Sequence, residues 1–450
     1  MISAKPAAIT YFGNGMKLIN IIIHNSTSKV EGLSIAEHNS LKEVLSYSLP
    51  PVFTPFGVKA GKRVSLLAKS GMFPTGLLET VKTALKAPFS VLDTRVKPAS
   101  TPGMFNPTFP HSPYIEQLEI VEAAVKYHRG TVSAVTGFGK SLTMMYLVNA
   151  LQVKTLIVVP NLTLKNQLTE DFKACFGSLK NITIENIDSP ELKKTKKYDC
   201  LIIDEAHHVA AKTYRTLNSK HWSGIYYRLF FTATPFRSRS EEDILFESIA
   251  GRIIYRVDFH KAVENGYITP LEAFYVAIPK TKTNAHTWRQ VYKTLVVEND
   301  VRNNLIARLV RALDHSGVST LVLVKEIAHG KILSELCGSQ FANGESEDSM
   351  ILIEAFSKGK IKTLVGTTGI VGEGVDTKPA EFIIISGLGK AKNSLMQAFG
   401  RGLRRYKGKD TCKIVIFDDS SHKFTKAHFK EQCKILLDEY NIIPGELKIE

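Results

Sequence analysis

The sequence predicts an α/β protein in which two parallel-sheet domains follow one another behind a smaller α+β block. Three observations predict it. From Tyr114 onward, short apolar runs alternate with segments of helical period, the pattern of strands joined by crossover helices. A second series of the same kind begins after Ile268. Residues up to about Pro107 form a block with its own alternation, followed by a Pro-rich, weakly apolar stretch from Lys97 to Pro113 that reads as a linker. The expected division is 1–107, 108–264 and 265–450, with a helical tail at the end of the third part.

In order along the chain, Met16 to Ile23 reads as a strand and Ser34 to Leu49 as a helix that Ser34 can cap. Lys62 to Ala68 reads as a further strand and Gly76 to Leu85 as a second helix. In the first α/β series the strands are Thr131 to Val135, Thr155 to Val159, Cys200 to Ile203 and Tyr227 to Thr232. After a junction near Gly266 to Pro270 the second series has Thr320 to Val324, Thr363 to Gly366, Glu381 to Ile385 and Lys413 to Phe417. No short-period repeat or low-complexity tract appears.

Composition narrows the possible roles. The 450 residues carry a formal net charge of +15, which favours a polyanionic partner, because Lys and Arg gain by displacing counterions from phosphates. An acidic protein surface is the alternative. Cys175, Cys200, Cys337, Cys412 and Cys433 are odd in number and never form Cys-x-x-Cys, which favours neither a disulfide framework nor structural zinc. No apolar run has the length of a membrane span, and Met1 to Asn20 lacks the layout of a signal peptide. A cytoplasmic protein with no membrane partner is expected.

Two segments about sixty residues apart carry chemistry. In AVTGFGKS, Ala134 to Ser141, Gly137 and Gly139 let backbone amides turn toward phosphate oxygens. Lys140 adds a full charge there, and Ser141 offers a hydroxyl to magnesium. Ala134 stands where the wider Gly-x4-Gly-Lys-Ser pattern has its first glycine. In DEAH, Asp204 and Glu205 end an apolar strand at the carboxyl edge of the sheet, where ligands bind. Asp204 can hold magnesium, and Glu205 can orient and deprotonate a water. In the second series, QAFGRGLRR from Gln397 to Arg405 is expected to place Arg401 and Arg404 on one helical face, two guanidiniums able to stabilise charge on a transferring γ-phosphate. Singly, these segments also read as a glycine turn, a solvated acidic turn and a basic helix face. In this order they point to a nucleotide-driven motor.

With these segments in place, the chain resembles the superfamily 2 helicases across both α/β series. The motifs occur in that family's order: Gln117 after Tyr114, AVTGFGKS, PNLTLKNQ from Pro160 to Gln167, DEAH, TATP from Thr232 to Pro235, VGTTGIVGEGVD from Val365 to Asp376, and QAFGRGLR. The resemblance implies two RecA-like domains using ATP and Mg2+. It implies that Gln117 reads adenine and that Thr136, Gly137, Phe138, Gly139, Lys140 and Ser141 surround the phosphates. It further implies that Gly374 and Asp376 approach the nucleotide, and that Gln397 acts with Arg401 and Arg404. Thr232, Thr234 and His207 would couple hydrolysis to movement, while Asn161, Lys165 and Thr367 would lie near the nucleic-acid backbone.

Within the superfamily, KEIAHGKIL (Lys325 to Leu333), ENGYITP (Glu264 to Pro270) and Lys62 to Leu85 are similar to the bacteriophage branch-migration and recombination helicases of the UvsW type. That resemblance implies an ATP-dependent helicase or translocase that remodels branched DNA, forks and four-way junctions, in recombination, repair or replication. The basic N-terminal block, with Lys59, Lys62, Arg63 and Lys69, would then grip DNA. The insert from Gly338 to Met350 and the loop from Leu388 to Ser394 are further places where nucleic acid can be met, or plain surface loops. An RNA helicase, the translocase of a restriction complex and a binding scaffold are the alternatives. No protein partner is indicated.

Overall fold

The computed structural model describes residues 18–49, 51–54, 57–59, 61–194, 197–234, 241–371, 377 and 379–449. By contacts it divides into two compact units. One holds residues up to Ser133 together with Ser141–Arg256, and the other holds Ala134–Lys140 together with Val257–Glu450.

The first unit begins with a four-stranded sheet in the order Met72–Pro74, Thr27–Glu31, Ile19–Ile23, Phe89–Asp93. Alternation along Ile19–Ile23 buries Ile19, Ile21 and Ile23 on one face, where they meet Leu41, Phe73, Leu77 and Val81. Ser34 caps the helix Ile35–Val44 as expected, its hydroxyl accepting from the Glu37 amide at 3.2 Å while the Glu37 carboxylate accepts from the Ser34 amide at 2.8 Å. These bonds hold the Glu37 pKa below its ordinary value. The helix is shorter than expected. It stops at Val44 because Ser46–Ser48 pairs antiparallel with Arg63–Ser65, a cross-strand partner that local periodicity does not reveal.

This small sheet is packed onto the α/β sheet that follows it. Gly76 lies so close to the helix Glu241–Ala250 that a Cβ on it would sit 2.1 Å from the Glu247 carbonyl oxygen. Thr80 donates to the Glu247 carboxylate at 2.6 Å, and Ile244 packs on the small sheet's core. Arg129, half-buried, donates to the carbonyls of Ile249, at 2.6 Å, and Asn25.

The α/β sheet has six parallel strands in the order Ile182–Asn186, Thr155–Val159, Cys200–Ile203, Tyr227–Thr232, Arg129–Ser133, Ile253–Arg256. Its central strands are buried along their whole length, as helices on both faces require. Arg228 on Tyr227–Thr232 is fully buried. Its guanidinium donates to the Trp222 carbonyl at 2.5 Å and to the Asn218 side chain, and burial pushes its pKa down to about 10.

The second unit carries a seven-stranded parallel sheet, in the order Gln340–Ala342, Thr363–Thr367, Thr320–Val324, Phe382–Ile385, Cys412–Asp419, Leu271–Ile278, Gly445–Glu446. Cys412–Asp419 outruns its sequence-expected ends because it matches the eight residues of Leu271–Ile278. The core beneath is aliphatic, with Val322, Val324, Leu333, Val365, Ile384 and Val415 buried together. Among the described residues no helix is long and apolar enough to cross a membrane.

Candidate active site

The phosphate loop runs from the end of strand Arg129–Ser133 to the helix Lys140–Leu151. Gly137 and Gly139 sit at φ +89° and +98°, in the left-handed region that an L side chain enters only with strain. The sequence therefore needs glycine at both places to bring the chain round into a helix that opens on Lys140. Residues 134–140 group with the second unit, where Gly137 lies against the Leu403–Arg404 backbone. A Cβ on Gly400 would fall 2.6 Å from the Thr136 side chain. Phe138 is 1% exposed, its ring edge-on to Tyr267 at 5.9 Å. Gln117 is buried, and its side-chain oxygen accepts from the Tyr114 amide at 3.0 Å, fixing the start of the helix Ile115–Tyr127.

The acidic pair stands at the carboxyl end of the buried strand Cys200–Ile203. Asp204 extends the ladder through its amide to the Val158 carbonyl at 2.9 Å, is buried, and accepts the Glu205 amide on Oδ1 at 2.9 Å. Glu205 adopts φ +46°, ψ +48°, a left-handed conformation that costs a non-glycine residue of order 1 kcal/mol or more and is concentrated at functional sites.

From Glu205 a polar chain runs into the neighbouring strand. His207 is 4% exposed, and its Nδ1 lies 3.4 Å from Glu205 Oε2 and 3.3 Å from Thr232 Oγ1. Thr232 Oγ1 in turn accepts the Thr234 amide at 3.1 Å. These groups meet because Tyr227–Thr232 is the strand hydrogen-bonded to Cys200–Ile203, so both carboxyl ends leave the sheet side by side. A proton on Nδ1 can be donated to either Glu205 or Thr232, whereas a bare Nδ1 accepts only from Thr232. The first unit thus brings together Asp204, Glu205, His207, Thr232 and Thr234.

Other expected site residues are engaged differently. Asn161 caps the helix Leu162–Phe176, accepting the Leu164 amide at 2.9 Å, and Lys165 is ion-paired with Glu185 at 2.8 Å. That carboxylate lies in the neighbouring strand, twenty residues on, and no local pattern points to it. In the second unit Thr367 ends its strand, buried, its carbonyl accepting from the Val371 amide at 3.0 Å. Pro235, Gly374 and Asp376 lie outside the described residues.

One expectation is corrected. Arg401 and Arg404 do not share an α-helical face. The helix Lys392–Gly400, which carries Gln397, ends before them, Arg401–Leu403 is a 3-10 turn, and Arg404 is extended at φ −67°, ψ 131°. Gly402 sits so tightly on strand Cys412–Asp419 that a Cβ would fall 2.0 Å from Cys412 Sγ. The Thr269 amide takes the Leu403 carbonyl at 2.8 Å, and Lys409 Nζ takes that of Arg404 at 2.9 Å. These tertiary partners replace the next helical turn.

A glycine turn that opens on a lysine at a helix N-terminus fits the phosphates of a nucleoside triphosphate, and in the first unit a buried aspartate stands at the carboxyl end of its strand. Among the described residues, no group of three or more His, Cys, Asp or Glu could hold a metal by itself.

Comparison with known proteins points to helicases. Residues 111–195 and 181–237 match the family model of the type III restriction enzyme res subunit, and residues 302–406 that of the helicase conserved C-terminal domain. The chain is 26% identical over 360 residues to the DNA 3'-5' translocase XPB2 of Sulfurisphaera tokodaii, covering 67% of this chain and 80% of that protein. It is 22% identical over 349 residues to the ATP-dependent DNA helicase uvsW of Enterobacteria phage T4, covering 69% of each. A fragment assigned as an HsdR subunit of a type I restriction enzyme from Vibrio vulnificus has a similar fold, with a TM-score of 0.60 at 16% identity over 76% of this chain and 69% of that one.

Proposed function

This chain belongs to the superfamily 2 helicases and is by that membership an ATP-hydrolysing enzyme, and from that premise we propose that it moves on DNA and remodels branched structures such as forks and four-way junctions. The observation that carries the reading is the polar chain from Glu205 through His207 to Thr232 and Thr234. It gives the acidic pair a direct mechanical route to the segment after strand Tyr227–Thr232. A change at Glu205 that moves or reprotonates His207 must be felt at Thr232.

In this account Lys140 and the amides of the glycine turn bind the phosphates, and Glu205 orients water and takes its proton. Arg401 and Arg404 balance charge that builds on the γ-phosphate, with Gln397 placed beside them. Ser141 and Asp204 would hold Mg2+, which when bound draws charge from the phosphate oxygens. Mg2+ keeps waters and uses one or two protein ligands plus substrate phosphates. Asn161, Lys165 and Thr367 are assigned to the nucleic-acid track. For Lys165 this requires that the backbone phosphate compete with Glu185.

Branched DNA as the substrate is supported by the likeness to uvsW and by the N-terminal sheet. Its packing against Glu241–Ala250 makes the small sheet part of the same compact unit as the first motor sheet, so a grip on duplex there would travel with it. The test is the stimulation of ATP hydrolysis by single-stranded DNA, linear duplex, four-way junction and single-stranded RNA. Strongest stimulation by the junction is expected. Preference for RNA would replace the proposal with RNA remodelling, and preference for linear duplex with a translocase of the restriction type.

A further inference from the structure

The second unit contains an aromatic groove, bordered by the loop from Leu388 to Ser394, that the site described above does not use. Trp288 is half-buried, while the only other tryptophan, Trp222, is 2% exposed in the first unit's core. The Trp288 ring meets His428 at 4.1 Å and 61°, with Tyr292 at 5.3 Å and Phe424 at 6.2 Å. Helices Trp288–Tyr292 and Lys423–Tyr440 supply these rings, and the turn Gly387–Gly389 after strand Phe382–Ile385 faces them. Together they bound a groove of about 340 Å3, a volume within the roughly 300–1,000 Å3 of small-ligand sites.

The turn is fixed. The Tyr292 hydroxyl donates to the Gly387 carbonyl at 3.0 Å, a Cβ on Gly387 would fall 2.7 Å from that hydroxyl, and the Gln432 amide donates to the Gly389 carbonyl at 2.8 Å. Lys325 and Lys390, both exposed, line the groove, and among the described residues no acidic side chain does. Burial, and then these two ammonium groups, push the His428 pKa below its ordinary value.

Adjoining the groove is a smaller pocket of about 40 Å3, sharing Trp288, Gly387 and His428 with it and lined also by Arg302 and Asp419. Arg302 is 5% and Asp419 2% exposed, and among the described residues Arg302 Nε and Asp419 Oδ2 have no hydrogen-bond partner. The pocket holds a few waters at most. One buried donor and one buried acceptor therefore stand ready for a polar edge.

We propose that this groove docks one unpaired base of single-stranded nucleic acid, stacked on Trp288, with its phosphate against Lys325 and Lys390 and its polar edge toward Arg302 and Asp419. The inference deepens the proposed function and rests on it. Aromatic walls with two exposed lysines on the groove suit an anion with a flat π body. The donor and acceptor of the adjoining pocket suit a base edge better than an aliphatic or purely phosphate ligand.

The test uses the full chain and an end-labelled oligothymidylate, read both by the label's anisotropy and by tryptophan fluorescence. Binding is expected to quench Trp288 over a constant background from Trp222. Trp288→Phe should abolish the quench while keeping affinity within a few fold. Trp288→Ala should weaken binding roughly tenfold, the loss typical of one stacked base. Lys390→Gln, at an exposed position that folding does not need, should lower affinity and reduce the slope of log affinity against log salt by about 0.7. Unchanged affinity in both Trp288→Ala and Lys390→Gln, with oligonucleotide still bound, would overturn the docking site and leave the proposed function standing. Quenching by free thymidine monophosphate but not by the oligonucleotide would overturn the assignment to nucleic acid. Failure of the wild-type chain to bind any DNA or RNA strand would sink the proposed function itself.

Discussion

Replacing His207 by alanine should separate ATP hydrolysis from its stimulation by DNA. The imidazole Nδ1 lies 3.3 Å from Thr232 Oγ1 and 3.4 Å from Glu205 Oε2. Both are long, so each belongs near the low end of the roughly 0.5–1.5 kcal/mol that a hydrogen bond contributes net. Their loss removes about 1 kcal/mol of coupling, which is about a fivefold fall in the ratio of DNA-stimulated to basal turnover. Since alanine also leaves a cavity at a buried position, His207→Asn is the matched control. It keeps a polar atom at the δ position, where Nδ1 now stands, and should recover most of the stimulation. The assay is steady-state hydrolysis with and without DNA, beside thermal melting of each variant. If His207→Ala is as well folded as wild type and equally stimulated, the route from Glu205 to Thr232 does not carry the coupling.

Other variants test the fold and the chemistry separately. Gly76→Ala puts a methyl group 2.1 Å from the Glu247 carbonyl oxygen, a backbone atom that cannot swing aside; denaturant unfolding should show a loss of about 1–3 kcal/mol, and an unchanged midpoint would contradict the docking of the small sheet. His329 is buried neutral, its pKa pushed down to about 3 by burial and then by Arg302, with Nε2 3.0 Å from Asn303 Oδ1. The unfolded chain takes up this proton first, so stability is full above about pH 6.5 and falls as pH drops toward 3; between pH 7.5 and 5 about 2 kcal/mol should be lost. His329→Gln should flatten that slope, and an identical slope would show that His329 does not set it. Arg404→Ala should retain binding of a fluorescent ATP analogue and lose turnover, whereas equal loss of both would assign Arg404 to binding.

What the sequence made legible follows from where the determining contacts lie. Thr155–Val159, Cys200–Ile203, Tyr227–Thr232 and Thr320–Val324 fall at their expected ends because a strand buried on both faces is a continuous apolar run, self-evident in one dimension. Gly137 and Gly139 were readable for a similar reason, since a turn needing positive φ writes glycine into the chain. The parts not legible are set by partners remote in sequence. Strand Phe89–Asp93 exists because it pairs with Ile19–Ile23, and its mostly exposed residues carry no alternation. Helix Lys392–Gly400 stops short of the arginines because Cys412, Thr269 and Lys409 claim the residues beyond it. The aromatic groove joins Trp288 to His428, 140 positions apart, and nothing local marks either as half of a pair.

The central claim, that this is a nucleic-acid-driven ATPase built around Lys140 and Glu205 and tuned to branched DNA, is tested most directly by steady-state ATP hydrolysis with magnesium. The comparison sets no nucleic acid, single-stranded DNA, linear duplex, four-way junction and single-stranded RNA side by side, with Lys140→Ala as control. The account predicts hydrolysis that is greatest with the junction and absent in Lys140→Ala; equal turnover in all conditions, or near-normal turnover by Lys140→Ala, would contradict it.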